Sequence, residues 1–270
     1  MTAVRVLTWN LFHGRDHAPN AALHTQRSRL LGTSESDATH VQTNRDLYEE
    51  FSELLAGAIW DVALLQECPP RWSKPLSEAC GAEGFRTLTS RNWLLPLSGA
   101  VAARRPDLLG SAEGGCNLIL ARQGAGGLGG TRRSTLRRLP ERRTMAFAHT
   151  GSGLCVACFH ASTGGRRSEE DVQRAAHTAL DLAGGRPLVL GGDFNVRPSS
   201  SDAFERLAAL GFEGTTGPKA IDHLLVVGSE AEPARAWPDL EREIRCGGRA
   251  LRLSDHAPVE RVVRLPNPRA

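Results

Sequence analysis

The chain has 270 residues, of which 40% are hydrophobic and 23% are charged, a composition typical of a soluble protein with a substantial core. The formal net charge of +3 permits a polyanionic partner but is too small to indicate one. No apolar run approaches the roughly 18 residues of a membrane span, and the first residues lack the basic and apolar regions of a secretion signal. We therefore expect a soluble, cytoplasmic protein with no membrane span.

The six cysteines are spread along the chain without the spacing of a disulfide framework. Cys155 and Cys158 form a C-x-x-C pair, but they lie in an apolar run, residues 154–159, that predicts a strand. Residues three apart on a strand face opposite sides, so we do not expect the two thiols to bind a metal together. Unpaired cysteines are typical of the reducing cytosol, which agrees with a cytoplasmic location.

The first predicted strand covers residues 4–10 and ends on a polar residue, Asn10. Residues 16–43 are polar and mixed, and they predict a long connection beside a pocket. Asn44 is then expected to cap a helix over residues 45–57, because apolar residues recur there at helical spacing before Gly57.

Further apolar runs bounded by Gly, Pro or polar residues predict strands at 61–67, 85–89, 117–121, 144–149, 154–159, 188–192, 221–227 and 259–265. Helices are predicted at 71–80, 166–182 and 202–210. The glycine-rich stretch 124–130 lacks the lysine and the strand–loop–helix setting of a P-loop, and it predicts a hairpin connection. Because strands outnumber helices and many are joined directly, mixed sheets with helices packed outside are favoured, in one domain over residues 1–270.

One stretch, Leu188-Val-Leu-Gly-Gly-Asp-Phe-Asn195, combines an apolar strand with two polar residues at its end. Residues two apart on a strand point to the same side, so we expect Asp193 and Asn195 to face one pocket. A carboxylate that activates water or holds a metal, beside an amide that donates to developing charge, is what a hydrolytic phosphate site requires.

Similar polar residues lie at other strand ends: Asn10, Glu67, His160, Asp222, His223, Asp255 and His256. A charge at the edge of a buried strand is costly unless it meets a partner or a cation. Glu67 is the clearest metal candidate, and hard oxygen ligands with few histidines favour Mg²⁺ or Mn²⁺. For Glu67 alone, a strand-end salt bridge is the stronger interpretation, and for any single histidine a structural role is likewise the stronger one.

Taken together and in order, these segments resemble the endonuclease/exonuclease/phosphatase superfamily, the fold of pancreatic deoxyribonuclease and the abasic-site endonucleases. The matching segments are Thr8-Trp9-Asn10, Gln66-Glu67, Asn117-Leu-Ile-Leu-Ala-Arg122, Phe159-His160, Gly192-Asp-Phe-Asn195, Ile221-Asp-His223 and Ser254-Asp-His256. The resemblance implies an α/β fold, a four-layer sandwich of two mixed β-sheets flanked by helices, with the site at one end.

The resemblance also implies a role for each matching residue. Asn10, Glu67 and Asp255 would lie at a Mg²⁺ or Mn²⁺ ion. Asp193 would orient or deprotonate the attacking water, and Asn195 would hold a phosphate oxygen.

The remaining catalytic residues implied by the resemblance are His160, which would contact the phosphate from the other side, and His256, which would pair with Asp222. Whether Asp193 or His256 accepts the proton stays open. Substrate contacts are expected from three further residues: His13, Asn117 and Arg143. His223 is expected either to line the site or to pack behind it.

The substrate is less sharply indicated than the reaction. Residues 131–143 contain six arginines, which predict either a phosphate-backbone track or a solvated hairpin. Aromatic residues make up only 5% of the chain and are not interleaved with these arginines, which weakens the case for stacking on single strands. The leading hypothesis is a Mg²⁺-dependent nuclease or phosphodiesterase. The alternatives are a phosphatase or phosphodiesterase for a small metabolite, sugar or lipid headgroup, and an inactive binding module; no specific protein partner is indicated.

Overall fold

The structure is a computed structural model that describes residues 2–26, 41–89, 113–246 and 248–266. Within these ranges the chain forms fourteen β-strands and four α-helices. The strands are β1 Thr2–Asn10, β2 Val62–Cys68, β3 Ala82–Leu88, β4 Cys116–Arg122, β5 Leu128–Arg137, β6 Arg143–Thr150, β7 Cys155–His160, β8 Leu188–Asp193, β9 Asp222–Val227, β10 Glu230–Ala231, β11 Arg235–Ala236, β12 Glu243–Cys246, β13 Arg249–Arg252 and β14 Val259–Leu265. The helices are α1 Tyr48–Gly57, α2 Ser73–Ala79, α3 Arg166–Ala183 and α4 Ala203–Ala209.

Two mixed sheets form the centre of the fold. The first has seven strands in the order β10-β14-β1-β2-β4-β3, with β11 also paired to β14. The second has five strands in the order β5-β6-β7-β8-β9. Each sheet contains one parallel pair, β1 with β2 and β7 with β8, and its other pairs are antiparallel. Strands β12 and β13 form a separate hairpin.

The alternation of side chains on the first sheet builds two of the packed layers. Val6 and Leu64 lie in the core between the two sheets. Their neighbours Leu7 and Leu65 point to the opposite side and join the core that contains Phe51 of α1. Because successive residues on a strand face opposite sides, a sheet covered on both faces has nearly continuous apolar strands.

The second sheet repeats this arrangement against α3 and α4. Val189 packs between the sheets and Leu190 packs toward the helices. Cys155 and Cys158 likewise belong to different cores, which confirms that this C-x-x-C pair straddles its strand. The result is helices, sheet, sheet and helices in four layers, as the sequence predicts. No helix of the described ranges is long and apolar enough to cross a membrane.

Most predicted elements are present, with boundaries shifted by a few residues, but two details were wrong. Helix α1 begins at Tyr48, with Leu47 at its N-cap position, and the Asp46 carboxylate accepts the Tyr48 amide, so Asn44 is not the cap. The glycine-rich stretch is not a simple hairpin connection, because β5 begins at Leu128 and carries the following arginines. Strand β5 is an edge strand with a single buried residue, so it lacks the apolar pattern by which strands are recognised.

Candidate active site

The polar ends of the first sheet lie at one edge. Strands β1 and β2 run parallel, with Asn10 paired to Gln66, so Asn10 and Glu67 leave the sheet together. Strand β14 runs antiparallel to β1, and the loop before it returns to the same edge with Asp255 and His256.

The second sheet brings three more polar residues to that end. The parallel strands β7 and β8 pair His160 with Asp193 at their last residues. Strand β9 is antiparallel to β8 and begins at Asp222, directly opposite Asp193. Because β1 lies over β8 and β9, the ends of both sheets form one cluster.

Left-handed backbone conformations concentrate around this cluster. Among the described residues that are not glycine, positive φ angles of 47° to 61° occur at Phe12, His13, Glu67, Asn195 and Ser254. Such conformations cost about 1–3 kcal/mol each and are typical of sites where the surrounding structure fixes a side chain. The expected strand alternation from Asp193 to Asn195 was therefore wrong: β8 ends at Asp193, and a turn brings Asn195 back beside it.

The Asp193 carboxylate lies at the centre of the cluster and is almost fully buried. Its Oδ1 accepts the Asn195 amide at 2.9 Å, and its Oδ2 accepts Asn10 Nδ2 at 3.1 Å. The imidazole Nε2 atoms of His160 and His256 lie 3.4 and 3.9 Å from Oδ2. Burial raises the pKa of Asp193 against the opposing charge of His256, which makes this carboxylate a stronger base than an exposed one.

His256 and Asp222 form the tightest pair in the cluster. His256 Nδ1 lies 2.7 Å from Asp222 Oδ2, and this hydrogen bond fixes the orientation of the ring. The other nitrogen, Nε2, faces Asp193 and Asp255 at 3.9 Å each. Burial lowers the pKa of His256, but the charges of Asp222 and Asp193 raise it well above its ordinary value. The two neighbouring carboxylates therefore favour the protonated imidazole.

The pKa of His160 is shifted in the direction opposite to that of His256. Burial lowers its pKa to about 3, and the nearby charge of Arg143 adds to the shift, so the ring is neutral at neutral pH. Its Nε2 lies 3.1 Å from the carboxamide nitrogen of Asn195, which donates to it. This contact leaves the ring proton on Nδ1, which lies 3.7 Å from Glu67 Oε1.

Three residues that sequence reasoning did not single out for the site hold the His256 loop in place. Trp9 Nε1 donates to the His256 carbonyl at 2.9 Å, and Ser254 Oγ donates to the Asn10 carbonyl at 2.7 Å. Arg242 is buried and its Nη1 donates to the carbonyls of Ser254 and His256 at 2.5 and 3.3 Å. Ser254 lies in a matched motif, but Arg242 belongs to a separate segment and has no sequence signal of its own.

The sequence matches the model of the Endonuclease/Exonuclease/phosphatase family over residues 7–256. The chain belongs to this family. Comparison with curated proteins gave no significant match. Membership of this family makes the protein a metal-dependent phosphoesterase.

Several solved structures share the fold at low sequence identity. An endonuclease/exonuclease/phosphatase family protein from Bacteroides thetaiotaomicron is 15% identical, with a TM-score of 0.65 over 98% of this chain and 96% of that one. The mannosyl-6-phosphatase of the same organism is 15% identical, with a TM-score of 0.64 over 97% and 100%. The human Nocturnin catalytic domain with bound sulfate is 14% identical, with a TM-score of 0.64 over 98% and 95%.

Members of the endonuclease/exonuclease/phosphatase family generally use divalent metals, and the group around Glu67 fits such an ion. Burial would raise the pKa of Glu67, but neighbouring positive charges, first that of His13, bring it down to about 2, so the carboxylate is ionised. Burial raises the pKa of Asp255, and the charge of Glu67 adds to the shift although His256 opposes it. Two carboxylates whose charges repel each other form a pair of oxygen donors that a cation would stabilise, whereas Asn10 Oδ1 accepts the Phe12 amide at 2.9 Å.

A second group with metal-ligand atoms, Asp193, Asp222 and His256, has all these atoms within 4.8 Å of one another. However, His256 Nδ1 and Asp222 Oδ2 are only 2.7 Å apart and bond to each other. Two ligands around one ion, with bonds of about 2.1 Å, are separated by roughly 3 Å or more. This hydrogen bond excludes only that pair of atoms as joint ligands, because His256 Nε2 lies 3.9 Å from Asp193 Oδ2, too far for a hydrogen bond.

The three residues predicted to contact substrate have different surroundings. His13 Nε2 lies 3.3 Å from Glu67 Oε2, at the edge of the cluster. Arg143 is buried, its Nη2 donates to Glu141 at 3.0 Å, and its charge acts on His160. Asn117 is fully buried and donates to the Thr144 carbonyl at 2.7 Å. Their contacts with substrate stay predictions.

His223, the neighbour of Asp222, packs behind the cluster. It is fully buried, and its ring lies edge-on to Phe194 and Phe204 with centroids 5.2 and 4.9 Å apart. Its Nδ1 accepts the Thr216 amide at 3.1 Å. The residue therefore supports strand β9.

Proposed function

We propose that the protein hydrolyses a phosphoester with Mg²⁺ or Mn²⁺, by in-line attack of a water molecule that Asp193 orients and deprotonates. The observation that carries this proposal is the placement of the Asp193 carboxylate, which is anchored by Asn10 and Asn195 and faces the Asp222–His256 pair. These hydrogen bonds fix the orientation of the carboxylate, and a base held in place is what activation of a water molecule requires.

The neighbouring side chains would bind the phosphoryl group. His256 is held by Asp222 with its Nε2 toward the centre of the cluster, so the imidazolium would donate to a phosphoryl oxygen and stabilise the charge that develops there. Asn195 Nδ2, which lies 3.1 Å from His160 Nε2 and 3.3 Å from the Ala161 carbonyl, would exchange one of these acceptors for a second phosphoryl oxygen. A divalent ion on Glu67 and Asp255 would neutralise further charge on the phosphoryl oxygens.

For the substrate we favour a small phosphorylated molecule. The arginines for which a phosphate-backbone track was one of two interpretations are partly engaged in the protein. Arg137 pairs with Asp171 and Glu170, and Arg142 donates to the Thr89 carbonyl. An arginine already held by a carboxylate contributes little to binding a phosphate backbone. One structural neighbour, the mannosyl-6-phosphatase, is named for a sugar phosphate.

Nucleic acid is the second candidate, and exposed arginines support it. Arg132 and Arg133 lie exposed on β5, and Arg138 is exposed just beyond its end. In this case binding would weaken steeply with salt. A cytoplasmic location is part of the same proposal, because the reduced, buried cysteines fit a reducing compartment.

A substrate panel tests the proposal. Purified protein is incubated with bis-p-nitrophenyl phosphate, p-nitrophenyl phosphate, sugar phosphates, DNA and RNA, with Mg²⁺, with Mn²⁺ or with a chelator. We expect metal-dependent hydrolysis that Asp193→Asn abolishes and that Asp202→Asn, at an exposed carboxylate beside α4, leaves unchanged. Hydrolysis that survives in Asp193→Asn would refute the mechanism, and binding of a phosphoester without turnover would favour an inactive module.

A further inference from the structure

His13 is fixed in place by the turn that follows β1. It has φ 53° and ψ 29° within the 3₁₀ turn Phe12–Gly14, a left-handed conformation that few residues adopt. Arg15 stacks over the Phe12 ring at 4.0 Å and its Nε donates to the Phe12 carbonyl at 3.1 Å. A Cβ at Gly14 would lie 2.3 Å from the Trp72 ring, so the turn packs closely on its neighbour. This packing aims the His13 imidazole at Glu67.

A glycine on the other side gives the imidazole its space. A Cβ at Gly115, just before β4, would lie 3.4 Å from His13 Cε1 and 3.2 Å from the Glu67 Cα. The ring of His13 therefore lies between the turn and the backbone of residue 115, with its Nε2 3.3 Å from Glu67 Oε2. Both side chains remain partly exposed, so an ion can reach them.

The distance between these two atoms differs from that of an ordinary histidine–carboxylate hydrogen bond. The His256–Asp222 pair of the same site is 2.7 Å apart, within the usual range of about 2.7–2.9 Å for charge-assisted hydrogen bonds. The 3.3 Å between His13 Nε2 and Glu67 Oε2 is longer. It lies between the separations of adjacent ligands on one ion with bonds of about 2.1 Å, which are roughly 3.0 Å for octahedral and 3.4 Å for tetrahedral geometry.

We propose that His13 Nε2 joins Glu67 as a ligand of the divalent ion, so that the site binds transition ions such as Mn²⁺, Co²⁺ and Zn²⁺ more tightly than Mg²⁺. Mg²⁺ prefers oxygen ligands, whereas an imidazole nitrogen favours transition ions. This inference rests on the proposed metal-dependent function and deepens it. The competing interpretations are that His13 contacts the phosphate of the substrate or only donates to Glu67.

Pulsed electron paramagnetic resonance on the Mn²⁺-loaded protein tests this inference directly, because an imidazole bound to Mn²⁺ modulates the spin echo through its ¹⁴N nucleus. We expect this modulation in the wild type, and we expect the ¹⁵N pattern in protein labelled with ¹⁵N-histidine, a measurement that requires no substitution. Absence of nitrogen modulation in the wild type would overturn the proposal.

The variant His13→Asn identifies the histidine, and asparagine is chosen because it tolerates the left-handed backbone. We expect His13→Asn to lose the modulation and to bind Mn²⁺ at least tenfold more weakly by titration calorimetry, with Mg²⁺ affinity changed less than threefold. His177→Asn, at an exposed position on α3, is the matched control and should behave as the wild type. Modulation that persists in His13→Asn, or that is lost in His160→Asn instead, would overturn the proposal.

Phosphoester hydrolysis with Mg²⁺ is measured on the same samples, which separates this inference from the proposed function. Hydrolysis without nitrogen modulation would contradict the role of His13 alone. Nitrogen modulation that depends on His13, in a protein that turns over no phosphoester, would support the ligand assignment and contradict the proposed function.

Discussion

Replacing Arg242 by alanine is expected to slow catalysis, although Arg242 lies outside the chain segments that carry the proposed catalytic residues. Its Nη1 donates to the main-chain carbonyls of Leu253, Ser254 and His256 at 3.3, 2.5 and 3.3 Å, and Asp239 holds the other side of the guanidinium. The group is buried, so truncation would remove its hydrogen bonds to all three carbonyls, of which that of His256 would keep the Trp9 Nε1 donor. The loop that carries Asp255 and His256 would then lose its support.

The size of the effect follows from these contacts. A hydrogen bond to a charged group is worth about 1.5–3 kcal/mol, and one short contact with two long ones suggests a loss of about 3 kcal/mol in the free energy of unfolding. A displacement of His256 by about 1 Å would lower kcat roughly 100-fold. KM should change little, because Arg242 is a positioning residue and does not touch the substrate.

The assay is steady-state hydrolysis of a substrate identified in the panel, at a temperature where urea unfolding shows the variant to be folded. Arg242→Lys should recover part of kcat, because the ammonium reaches fewer of the three carbonyls. Arg245→Ala, at an exposed arginine of the β12–β13 hairpin, is the matched control and should leave kcat unchanged. Full kcat in folded Arg242→Ala, or a rise in KM alone, would refute the reasoning.

Three further predictions concern the Asp222–His256 pair, the close packing at Gly192 and the buried His223. Asp222→Asn should lower kcat about 10³–10⁴-fold, with KM nearly constant, because His256 loses the carboxylate that orients it; a kcat within tenfold of wild type contradicts this. Gly192→Ala should lower the free energy of unfolding in urea by more than about 3 kcal/mol, because its Cβ would lie 1.9 Å from a carbonyl oxygen. A Cβ at Gly57 would meet no atom within 4 Å, so Gly57→Ala should be tolerated. Equal stability of the two variants would contradict this prediction. Burial lowers the pKa of His223 to about 4, so the unfolded chain binds a proton at a higher pH than the folded chain does. The free energy of unfolding should therefore fall by about 3 kcal/mol between pH 6.5 and 4. His223→Gln should not show this fall, and a variant with the pH profile of the wild type would contradict the role given to His223.

The packed layers and the polar residues at the strand ends could be predicted from the sequence. The local apolar pattern locates each strand, and sheet geometry brings the strand ends together. Apolar runs of four to eight residues that lead into a polar residue are governed by burial. The sequence therefore predicted Asn10 and Asp193 at the ends of their strands and Glu67 within one residue of its strand end. Parallel pairing of neighbouring strands then brings such ends to one edge. The order of the motifs along the chain carried the family resemblance, and that resemblance implied the four-layer sandwich.

Features that depend on distant contacts could not be predicted in this way. Strand β5 has few apolar residues because its edge faces solvent, and it is a strand only because β6 pairs with it. Asn195 does not continue the strand, because its main-chain amide donates to the Asp193 carboxylate in a turn. Arg242 reaches the His256 loop from a neighbouring segment, and only the folded structure brings its guanidinium to those carbonyls.

The central claim, that water held by Asp193 attacks phosphorus, is tested most directly by hydrolysis in ¹⁸O-labelled water. Mass spectrometry of the products should find one ¹⁸O in the released phosphate or phosphomonoester and none in the alcohol, and the Asp193→Asn variant should form no labelled product. ¹⁸O in the alcohol would show attack at carbon and contradict the account, as would labelled phosphate formed at the wild-type rate by Asp193→Asn.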